Sequence, residues 1–413
     1  MTDRGSTSPN GAQSLDAEVI VVGAGPAGST VAALLARAGH DVLLLDKATF
    51  PRHKACSEYI NPAGARLLRT FGLEAEVLAL GAHQMEAMLV HAPGGQRFLA
   101  DFAGSQPGRH ALGLSRHKLD HLLLRHADEA GATICQGAHT RNVILDGRRV
   151  AGVEATIDGS RQTLRAKLVI GADGRHSVVT RRLGLDAPVR WPRRTGLVAH
   201  YQGVSGLDRR GEMHVARHGY AGLAPLEAGL TNVALVTDTS AVAARSESLE
   251  HFFEDGLAAV PEVASKLSGA TRVGGIRGIG PMAHRARHTA GDGFLLVGDA
   301  ASFLDPFTGE GIYEGLRGAM LAASVASTAL RAGDLSAEAL APYRAARRRV
   351  FTAKRQVCWI VQGFIHQPLL MNYVTDRLDR RSTLGNTLAG VLGNYRPAGE
   401  ALSPVFLARL LRP

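Results

Sequence analysis

The sequence predicts an α/β fold in three parts: a mainly parallel sheet, an inserted mixed β-sheet and a helical C-terminal segment. Three observations predict these parts. A strand, a glycine-rich turn and a helix occupy residues 19–38, strand-rich sequence with glycine turns fills 188–275, and helical patterns dominate 336–413. A chain of 413 residues is long enough for two domains, or for one large domain with an insertion.

We expect the first domain to be discontinuous, because strand-rich segments interrupt it. The segment at its N-terminal side lacks an apolar pattern and predicts a disordered tail. The expected boundaries are 1–15 for the tail, 16–78, 109–187 and 276–350 for the first domain, 79–108 and 188–275 for a substrate-binding domain, and 351–413 for the C-terminal helical region.

Composition narrows the class of protein. Hydrophobic residues make up 45% and charged residues 20% of the chain, as in ordinary globular proteins. The net charge is +10, but aromatic residues are only 5% and do not alternate with the basic ones, so we expect no nucleic-acid partner. A basic surface also suits an anionic cofactor or a peripheral contact with an anionic membrane.

Cysteine use and hydropathy favour a cytoplasmic protein, with membrane association left open. Cys56, Cys135 and Cys358 are far apart and show neither a disulfide framework nor metal-site spacing. No uninterrupted apolar run is long enough to cross a bilayer. The apolar stretch at 357–374 predicts either a helix packed on the core or a lipid-facing or substrate-channel segment. A monomer and a homodimer are both compatible with the sequence.

The first element is a strand–helix–strand unit. A β-branched strand at 19–22 leads into G-x-G-x-x-G, a helix at 30–38 and a strand at 42–45 that ends in Asp46. This order is that of a dinucleotide-binding fingerprint, in which backbone amides approach a pyrophosphate and the acid accepts from a ribose. A glycine-rich turn without a ligand is the alternative. The turn residues are Gly23, Gly25, Pro26, Ala27 and Gly28.

Later elements follow in order. A loop at 50–62 leads into a helix, the residues around "PGG" at 93–95 predict a hairpin, and leucines at 119–123 mark one face of an amphipathic helix. A buried strand then ends in the Gly-Ala-Asp-Gly turn at 171–174. The strand at 294–297 is followed by Asp299, a turn with closely spaced glycines and a long helix.

Three separated motifs together resemble the fold of the FAD-dependent aromatic hydroxylases, the group A flavoprotein monooxygenases. They are "VGAGPAGS" at 22–29, "GADGRHS" at 171–177 and "GDAASFLDPFTGEGI" at 298–312. The same superfamily includes geranylgeranyl reductases and flavin-dependent halogenases. The resemblance covers about residues 17–350 and implies a Rossmann-like FAD-binding domain of the glutathione-reductase type. No second glycine fingerprint follows a strand, so NADPH or NADH would dock transiently as the reductant.

The resemblance implies a role for each cofactor contact. Asp46 would hold the adenosine ribose, Asp299 the ribityl hydroxyls, and Arg116 the phosphates, whereas an ordinary N-cap for Asp299 and a solvated surface position for Arg116 are the alternatives. Cys56 fits a packing or substrate-wall residue better than a redox thiol, and Ser57 stands where the family usually has Gly. The remaining contacts are expected from Lys47, Lys54, Ala55, Cys56, Asp173, Gly174, Pro306, Gly309, Gly311 and Ile312.

The sequence predicts FAD as the cofactor, but it leaves more than one reaction open. The segment 219–236 lacks the Trp-x-Trp motif of halogenases, and it keeps the frame of the reductase motif but not two of its aromatic walls. The leading hypothesis is an NAD(P)H- and O2-dependent monooxygenase, acting through a flavin C4a-hydroperoxide on a lipophilic aromatic, quinone-like, polyketide or prenylated metabolite. The alternative is an ene reductase of geranylgeranyl or polyprenyl-quinone type, and a non-catalytic flavin-binding protein is a third class.

The sequence assigns no catalytic residue, because the flavin would perform the chemistry. The 17 histidines predict no metal site, since His117 with His121 and His284 with His288 lack the HExxH glutamate and an evident third ligand. The candidate pocket residues are Cys56, His200, His214, Tyr220 and Pro306.

Overall fold

A computed structural model describes residues 15–102 and 109–412, so the expected disordered tail lies outside the described residues except for exposed Leu15. The strands are β1 Ala17–Val22, β2 Val42–Asp46, β3 Tyr59–Ile60, β4 His83–Met85, β5 Ala87–His91, β6 Arg97–Asp101, β7 Ala111–Gly113, β8 Thr133–Gln136, β9 His139–Asp146, β10 Arg149–Ile157, β11 Ser160–Gly171, β12 Asp186–Ala187, β13 Arg194–Gln202, β14 Arg210–Ala216, β15 Gly219–Pro225, β16 Leu230–Asp238, β17 Thr271–Ile279, β18 His284–Ala286, β19 Ala290–Gly291, β20 Phe294–Leu296 and β21 Ser302–Phe303. The helices are α1 Pro26–Arg37, α2 Pro62–Thr70, α3 Glu74–Ala79, α4 Arg116–Glu129, α5 Val178–Arg182, α6 Thr239–Ala244, α7 Leu249–Ala258, α8 Pro261–Leu267, α9 Gly311–Ala332, α10 Ala341–His366, α11 Pro368–Arg380, α12 Ser382–Leu392, α13 Ala398–Leu402 and α14 Pro404–Leu411.

The predicted parallel sheet is present and contains the motif strands. Its order is β19-β20-β11-β1-β2-β8, and the pairs β20–β11, β11–β1, β1–β2 and β2–β8 are parallel. The carboxyl ends of these strands therefore bring the three motifs to one edge. Helices α1 and α9 pack on one face, whereas the antiparallel extension β9–β10–β11 covers the other.

Helix α1 begins earlier than the sequence predicts. We expected the helix at 30–38, but it starts at Pro26, directly after the second glycine of the turn. Proline is favoured in the first helical turn because its missing N–H would have no intrahelical partner there. The earlier start places the helix N-terminus, with its partial positive charge, at Gly25 itself.

A second sheet of seven strands has the order β17-β13-β16-β15-β14-β5-β6. The hairpin predicted around "PGG" is confirmed as the antiparallel pair β5–β6. Strand β5 also pairs in parallel with β14, so a segment from the first third of the chain completes a sheet whose other strands lie after residue 193. One face of the sheet packs against the C-terminal helices, and α7 and α8 pack on the other.

The C-terminal helices pack mainly on this second sheet. Val357, Val361 and Ile365 of α10 are buried in one cluster with Phe98 and Ala100 of β6. The apolar stretch at 357–374 is therefore largely a core segment. Three of its apolar side chains are exposed: Leu369, with 85% of its surface, Trp359 with 39% and Tyr373 with 36%. Within the described part of the chain, none of the helices combines the length and apolar character that a membrane span needs.

Candidate functional site

A cavity of about 630 Å³ lies between the two sheets. Its walls combine the three motif turns with the inner face of the seven-stranded sheet. Alternation along the strands selects the side chains that line it, because neighbouring residues point to opposite faces. On β15, Tyr220, Gly222 and Ala224 line the cavity. On β14 Met213 does so, whereas His214 points to the opposite face.

Two glycines of the turn pack closely against neighbouring backbone, and the glycine between them faces open space. A Cβ on Gly23 would lie 2.6 Å from the carbonyl oxygen of Ala172, and one on Gly28 would lie 1.7 Å from the carbonyl oxygen of Gly23. Gly28 is thus required for packing and does not line the cavity. At Gly25 the nearest atoms to such a Cβ are arginine side chains beyond 3.5 Å, so this glycine faces open space.

Basic side chains surround that open space. Arg116 Nε and Nη2 donate to the two carboxylate oxygens of Asp120 at 2.6 and 2.8 Å, which fixes the guanidinium beside the turn. Arg52 Nη1 lies 2.9 Å from the same carboxylate. Together with Lys47 and Lys54, these groups line the cavity beside the N-terminus of α1. The arrangement suits a phosphate or pyrophosphate.

Asp46 and Asp173, at the carboxyl edge of the parallel sheet, differ in how their carboxylates are hydrogen-bonded. Asp46 accepts hydrogen bonds from the backbone amides of Ala24 at 2.7 Å and Ala48 at 2.8 Å, which fixes its carboxylate at the cavity wall. Asp173 Oδ2 accepts from the amide of Val178 at 2.6 Å. Asp173 Oδ1 is buried and has no hydrogen-bond partner among the residues that the structure describes, so it can accept from a ligand hydroxyl.

Asp299 lies at the tip of the short strand β20, as the sequence predicts. Burial raises the pKa of its carboxyl to about 6, and the positive charges of Lys54 and Arg116 oppose that rise. Since a buried carboxylate is costly without donors, hydroxyl groups of a bound cofactor would stabilise its charged form. The position of Asp299 and its need for hydrogen-bond donors fit the contact with the ribityl hydroxyls that the resemblance implies.

The turn before α9 is fixed by the C-terminal region. Gly309 has φ +66°, and a Cβ there would lie 2.5 Å from the Tyr59 ring. Glu310 is buried, with Lys354 Nζ 2.9 Å from Oε1 and Asn394 Nδ2 donating to Oε2 at 2.7 Å. Helix α9 then starts at Gly311, so its first backbone amides face the cavity.

These features fit FAD, which needs an anion site, acceptors for ribose and ribityl hydroxyls, and amides near its ring system. The family model described as "FAD binding domain" matches residues 16–357. The chain belongs to this family. It is an FAD-dependent oxidoreductase of the superfamily that contains monooxygenases and geranylgeranyl reductases.

Curated relatives of this flavoprotein come from both the reductase and the halogenase branches. It is 34% identical over 343 residues to digeranylgeranylglycerophospholipid reductase 2 of Methanopyrus kandleri, covering 80% of the chain and 82% of the relative. It is 28% identical to flavin-dependent halogenase armH1 of Armillaria mellea, over 85% of the chain and 72% of the relative. The structure of flavin-dependent brominase Bmp2 shares the fold, with a TM-score of 0.81, 20% identity, and coverage of 91% and 93%.

Most of the flavoprotein's predicted contact residues line the cavity, but three do not. Besides Gly28, the two histidines expected there are placed elsewhere. His200 lies on the cavity side of β13 but is covered by Glu58, to which it is hydrogen-bonded. His214 lies on the other face of the sheet. The predicted residues that line the cavity are Gly23, Gly25, Pro26, Ala27, Asp46, Lys47, Lys54, Ala55, Cys56, Arg116, Asp173, Gly174, Tyr220, Asp299, Pro306, Gly309, Gly311 and Ile312.

The state of Cys56 agrees with a packing or wall role. Burial raises the pKa of its thiol, and its Sγ accepts a hydrogen bond from the amide of Glu58 at 3.3 Å. A thiol with a raised pKa is a poor nucleophile. No second cysteine of the described chain is a disulfide partner, since all three are free.

Sequence reasoning missed several residues of the site. Arg52 and His53 line the cavity within the loop at 50–62, and their basic character next to Lys54 is a local signal that could have identified them. Asp305 and Lys354 act by contacts with Tyr220 and Glu310, which are distant in the chain, and no local pattern distinguishes them. Glu58 fits the loop at 50–62 of the reductase and halogenase branch, but its positioning role was not predicted.

Proposed function

We propose that the protein reduces a carbon–carbon double bond of a lipophilic, prenyl-type substrate, using FAD that NADPH or NADH has reduced. The observation that carries the proposal is a buried proton donor in the wall of the apolar part of the cavity. Tyr220 is that donor, and its hydroxyl donates to Asp305 Oδ1 at 2.6 Å.

The apolar wall supports a lipophilic substrate. The part of the cavity beyond the cofactor motifs is formed by aliphatic, thioether and aromatic side chains, which exclude water and bind hydrocarbon without directional contacts. These residues are Met88, Val90, Ala100, Phe102, Val198, Met213, Ala234, Val236, Ile279, Met282, Phe303, Phe307 and Leu392.

Tyr220 is held for proton transfer. Burial, with Asp305 beside it, raises the pKa of its hydroxyl well above the ordinary value, so the group keeps its proton at neutral pH. Arg194 lies near the pair, with Nη1 3.6 Å from Asp305 Oδ2, and it is itself fixed by a 2.7 Å hydrogen bond to Gln362. The arginine would stabilise negative charge that remains on the pair after a proton has left.

Reduction of the double bond needs a hydride for one carbon and a proton for the other. FAD held at the motif turns by the basic side chains and Asp299 would, once reduced, supply a hydride equivalent for one carbon of the double bond. Tyr220 would give a proton to the other carbon, and a proton taken up from bulk solvent through Asp305 would restore the hydroxyl. The apolar walls hold the alkene over the cofactor and keep water away. The similarity to an enzyme named as a reductase of digeranylgeranylglycerophospholipid supports this reaction type and a prenyl substrate.

Oxygen transfer, the leading hypothesis from the sequence, remains the second candidate. Gly222 and Ala224 favour it, because both line the cavity where larger side chains would narrow it. The added width suits a flat aromatic or quinone-like substrate. Hydroxylation or epoxidation would use the same apolar cavity with NAD(P)H and O2, and it would not depend on Tyr220 as an acid.

One experiment separates the two reactions. The purified protein with FAD is incubated with NADPH or NADH and a prenylated lipid or quinone panel, once without oxygen and once in air. A product that gains two hydrogen atoms without oxygen supports double-bond reduction. A product that gains one oxygen atom, formed only in air with matching oxygen uptake, contradicts the reductase proposal and supports the monooxygenase.

We also propose a cytoplasmic location with a peripheral membrane contact through α11. Leu369 and Tyr373 are exposed on this helix, at 85% and 36% of their surfaces. Arg380, about three helical turns from Leu369 at the end of the helix, is exposed as well. An apolar edge beside basic side chains suits an anionic lipid surface, from which a lipophilic substrate would be taken.

A further inference from the structure

A second polar cluster lies on the face of the seven-stranded sheet opposite the cavity. It consists of His91 at the end of β5 and Glu212 and His214 on β14. The parallel register places His214 beside His91, and Glu212 is two residues from His214, so all three side chains share one face. The side chains of Glu212 and His214 are each 1% exposed, and that of His91 is 15% exposed.

The three side chains are spaced for a shared ion. Glu212 Oε2 lies 2.9 Å from His214 Nε2 and 3.9 Å from His91 Nε2. One ligand atom from each residue can be chosen so that all three lie within 4.8 Å of one another. Ligands held at 2.0–2.1 Å from a tetrahedral ion are about 3.3 Å apart, so small side-chain rotations would complete the geometry.

Two buried nitrogens of the cluster lack partners. His91 Nε2 and His214 Nδ1 have no hydrogen-bond partner anywhere in the described ranges. A buried polar atom without a partner calls for a water or an ion. The imidazoles are stacked, with ring centroids 4.2 Å apart.

We propose that His91, Glu212 and His214 bind a divalent transition-metal ion. Two imidazoles and one carboxylate match Zn²⁺ best, because it prefers nitrogen and oxygen donors of this kind in a tetrahedral set. A fourth position would open to a cavity of about 540 Å³ on the same face, which suits a water or a small ligand. The ion would join β5 to β14, the pair that unites two distant chain segments in one sheet.

Charged residues around the three ligands should affect the affinity of the proposed site for a metal ion. Lys266 Nζ lies 3.2 Å and Arg210 Nε 3.4 Å from Glu212 Oε1, so both cations use the oxygen that the histidines do not. They compete with an ion for the carboxylate charge. Glu262 also acts on His91 and adds negative charge from α8. Removing the Lys266 charge should therefore strengthen metal binding.

The test uses the full chain with its FAD, purified without a histidine tag and freed of metal with a chelator. Zn²⁺ binding is measured by equilibrium dialysis with elemental analysis, and Co²⁺ binding by its visible absorption. We expect one ion per chain, an absorption typical of tetrahedral Co²⁺, and a higher unfolding temperature with Zn²⁺. His91→Ala and His214→Ala should weaken binding by about tenfold or more.

Two further variants keep the result decisive if a ligand variant folds poorly. Lys266→Met leaves the three ligands intact and should bind Zn²⁺ more tightly, whereas His251→Ala on the exposed surface of α7 should bind as the unaltered protein does. The proposal is overturned if the unaltered protein binds no stoichiometric ion. It is equally overturned if His91→Ala binds as well as His251→Ala, or if Lys266→Met does not change the affinity.

Discussion

Glu58 Oε2 and His200 Nε2 are 2.5 Å apart, and this hydrogen bond joins the cofactor-side loop at 50–61 to β13 of the second sheet. Asn232 Nδ2 donates to the same carboxylate oxygen at 2.9 Å. Glu58 Oε1 accepts from the backbone amide of Arg116 at 2.8 Å. One buried carboxylate therefore holds the loop, the start of α4 and two strands of the other sheet in a fixed arrangement beside the cavity.

Glu58→Gln should destabilise the protein and weaken FAD binding. The amide has one acceptor oxygen in place of two, so a buried donor now loses its partner, at a cost of about 1–3 kcal/mol. The loop that carries Arg52 and Lys54 would lose its anchor, and FAD affinity should fall with it. Denaturant unfolding and FAD titration measure the two effects. Glu86→Gln, at an exposed ion pair, is the matched control, and equal behaviour of the two variants would contradict the role assigned to Glu58.

Gly25→Ala should abolish tight FAD binding without unfolding the chain. The added Cβ would be 3.6 Å from Arg116 Nη2, an ordinary contact, so the protein tolerates the methyl group. A pyrophosphate would not, because it must approach the backbone where the methyl group stands. FAD affinity should fall by at least about tenfold, or 1.4 kcal/mol.

The measurements are the flavin absorbance that remains after gel filtration and the unfolding free energy of the apoprotein. Gly363→Ala is the control, since a Cβ there meets no atom within 4 Å. Unchanged flavin content in Gly25→Ala would show that the pyrophosphate does not sit at this turn.

Asp299→Asn should remove a pH dependence from the stability of the apoprotein. The carboxyl has a pKa of about 6 in the folded chain against an ordinary value of 3.8, so its contribution is complete below 3.8 and is lost as pH rises through 6. By linkage this loss amounts to about 2–3 kcal/mol between acidic and neutral pH. Asparagine does not titrate, so the variant should gain stability relative to the unaltered apoprotein as pH rises.

Unfolding free energies of both apoproteins across that pH range provide the measurement. Asp146→Asn, at an exposed position on β9, should follow the unaltered protein. With FAD present the order should reverse at neutral pH, because the amide offers cofactor hydroxyls one neutral acceptor oxygen in place of two charged ones. A constant difference between Asp299→Asn and the unaltered apoprotein at all pH values would contradict the burial effect.

Tyr220→Phe should slow substrate turnover but not flavin reduction by NAD(P)H. General acids contribute about 10²–10⁴ to rate, and phenylalanine keeps the ring packing against Phe307 while removing the proton. Stopped-flow flavin reduction and product formation are measured separately. Tyr201→Phe is the control, because Tyr201 is buried on the opposite face of the sheet. Undiminished product formation in Tyr220→Phe would exclude the tyrosine as the acid.

The local parts of the site could be predicted from sequence. The glycine turn, Asp46 and the strand that ends before Asp299 each depend on residues close together in the chain, so a pattern of a few residues specifies them. The fold class followed from the same patterns, because strands that alternate with helices predict a parallel sheet. In these segments the local conformational preference of the residues agrees with the tertiary structure, so the local pattern is enough to predict them.

The contacts between segments could not be predicted from sequence. Glu58 meets His200, and Glu310 meets Lys354, across long stretches of chain, and no periodicity encodes such meetings. The error at His214 has a different cause. Strand alternation shows that Met213 and His214 face opposite sides, but only the pairing with β15 shows which side holds the cavity. The same pairing information was needed to bring His91 beside His214.

The exposed surface of α11 formed by Leu369, Tyr373 and Arg380, here called the α11 edge, should bind anionic vesicles in a salt-dependent manner. Leu369→Ser should weaken this binding. Burying a leucine in the interface contributes about 1.5 kcal/mol, so vesicle partitioning should fall by about tenfold. Sedimentation with vesicles of anionic and neutral lipid, at low and high salt, measures it. Leu145→Ser is the matched control, since Leu145 is 54% exposed but lies on β9, away from α11. Equal loss in both variants, or equal binding to neutral vesicles, would show that α11 is not the docking edge.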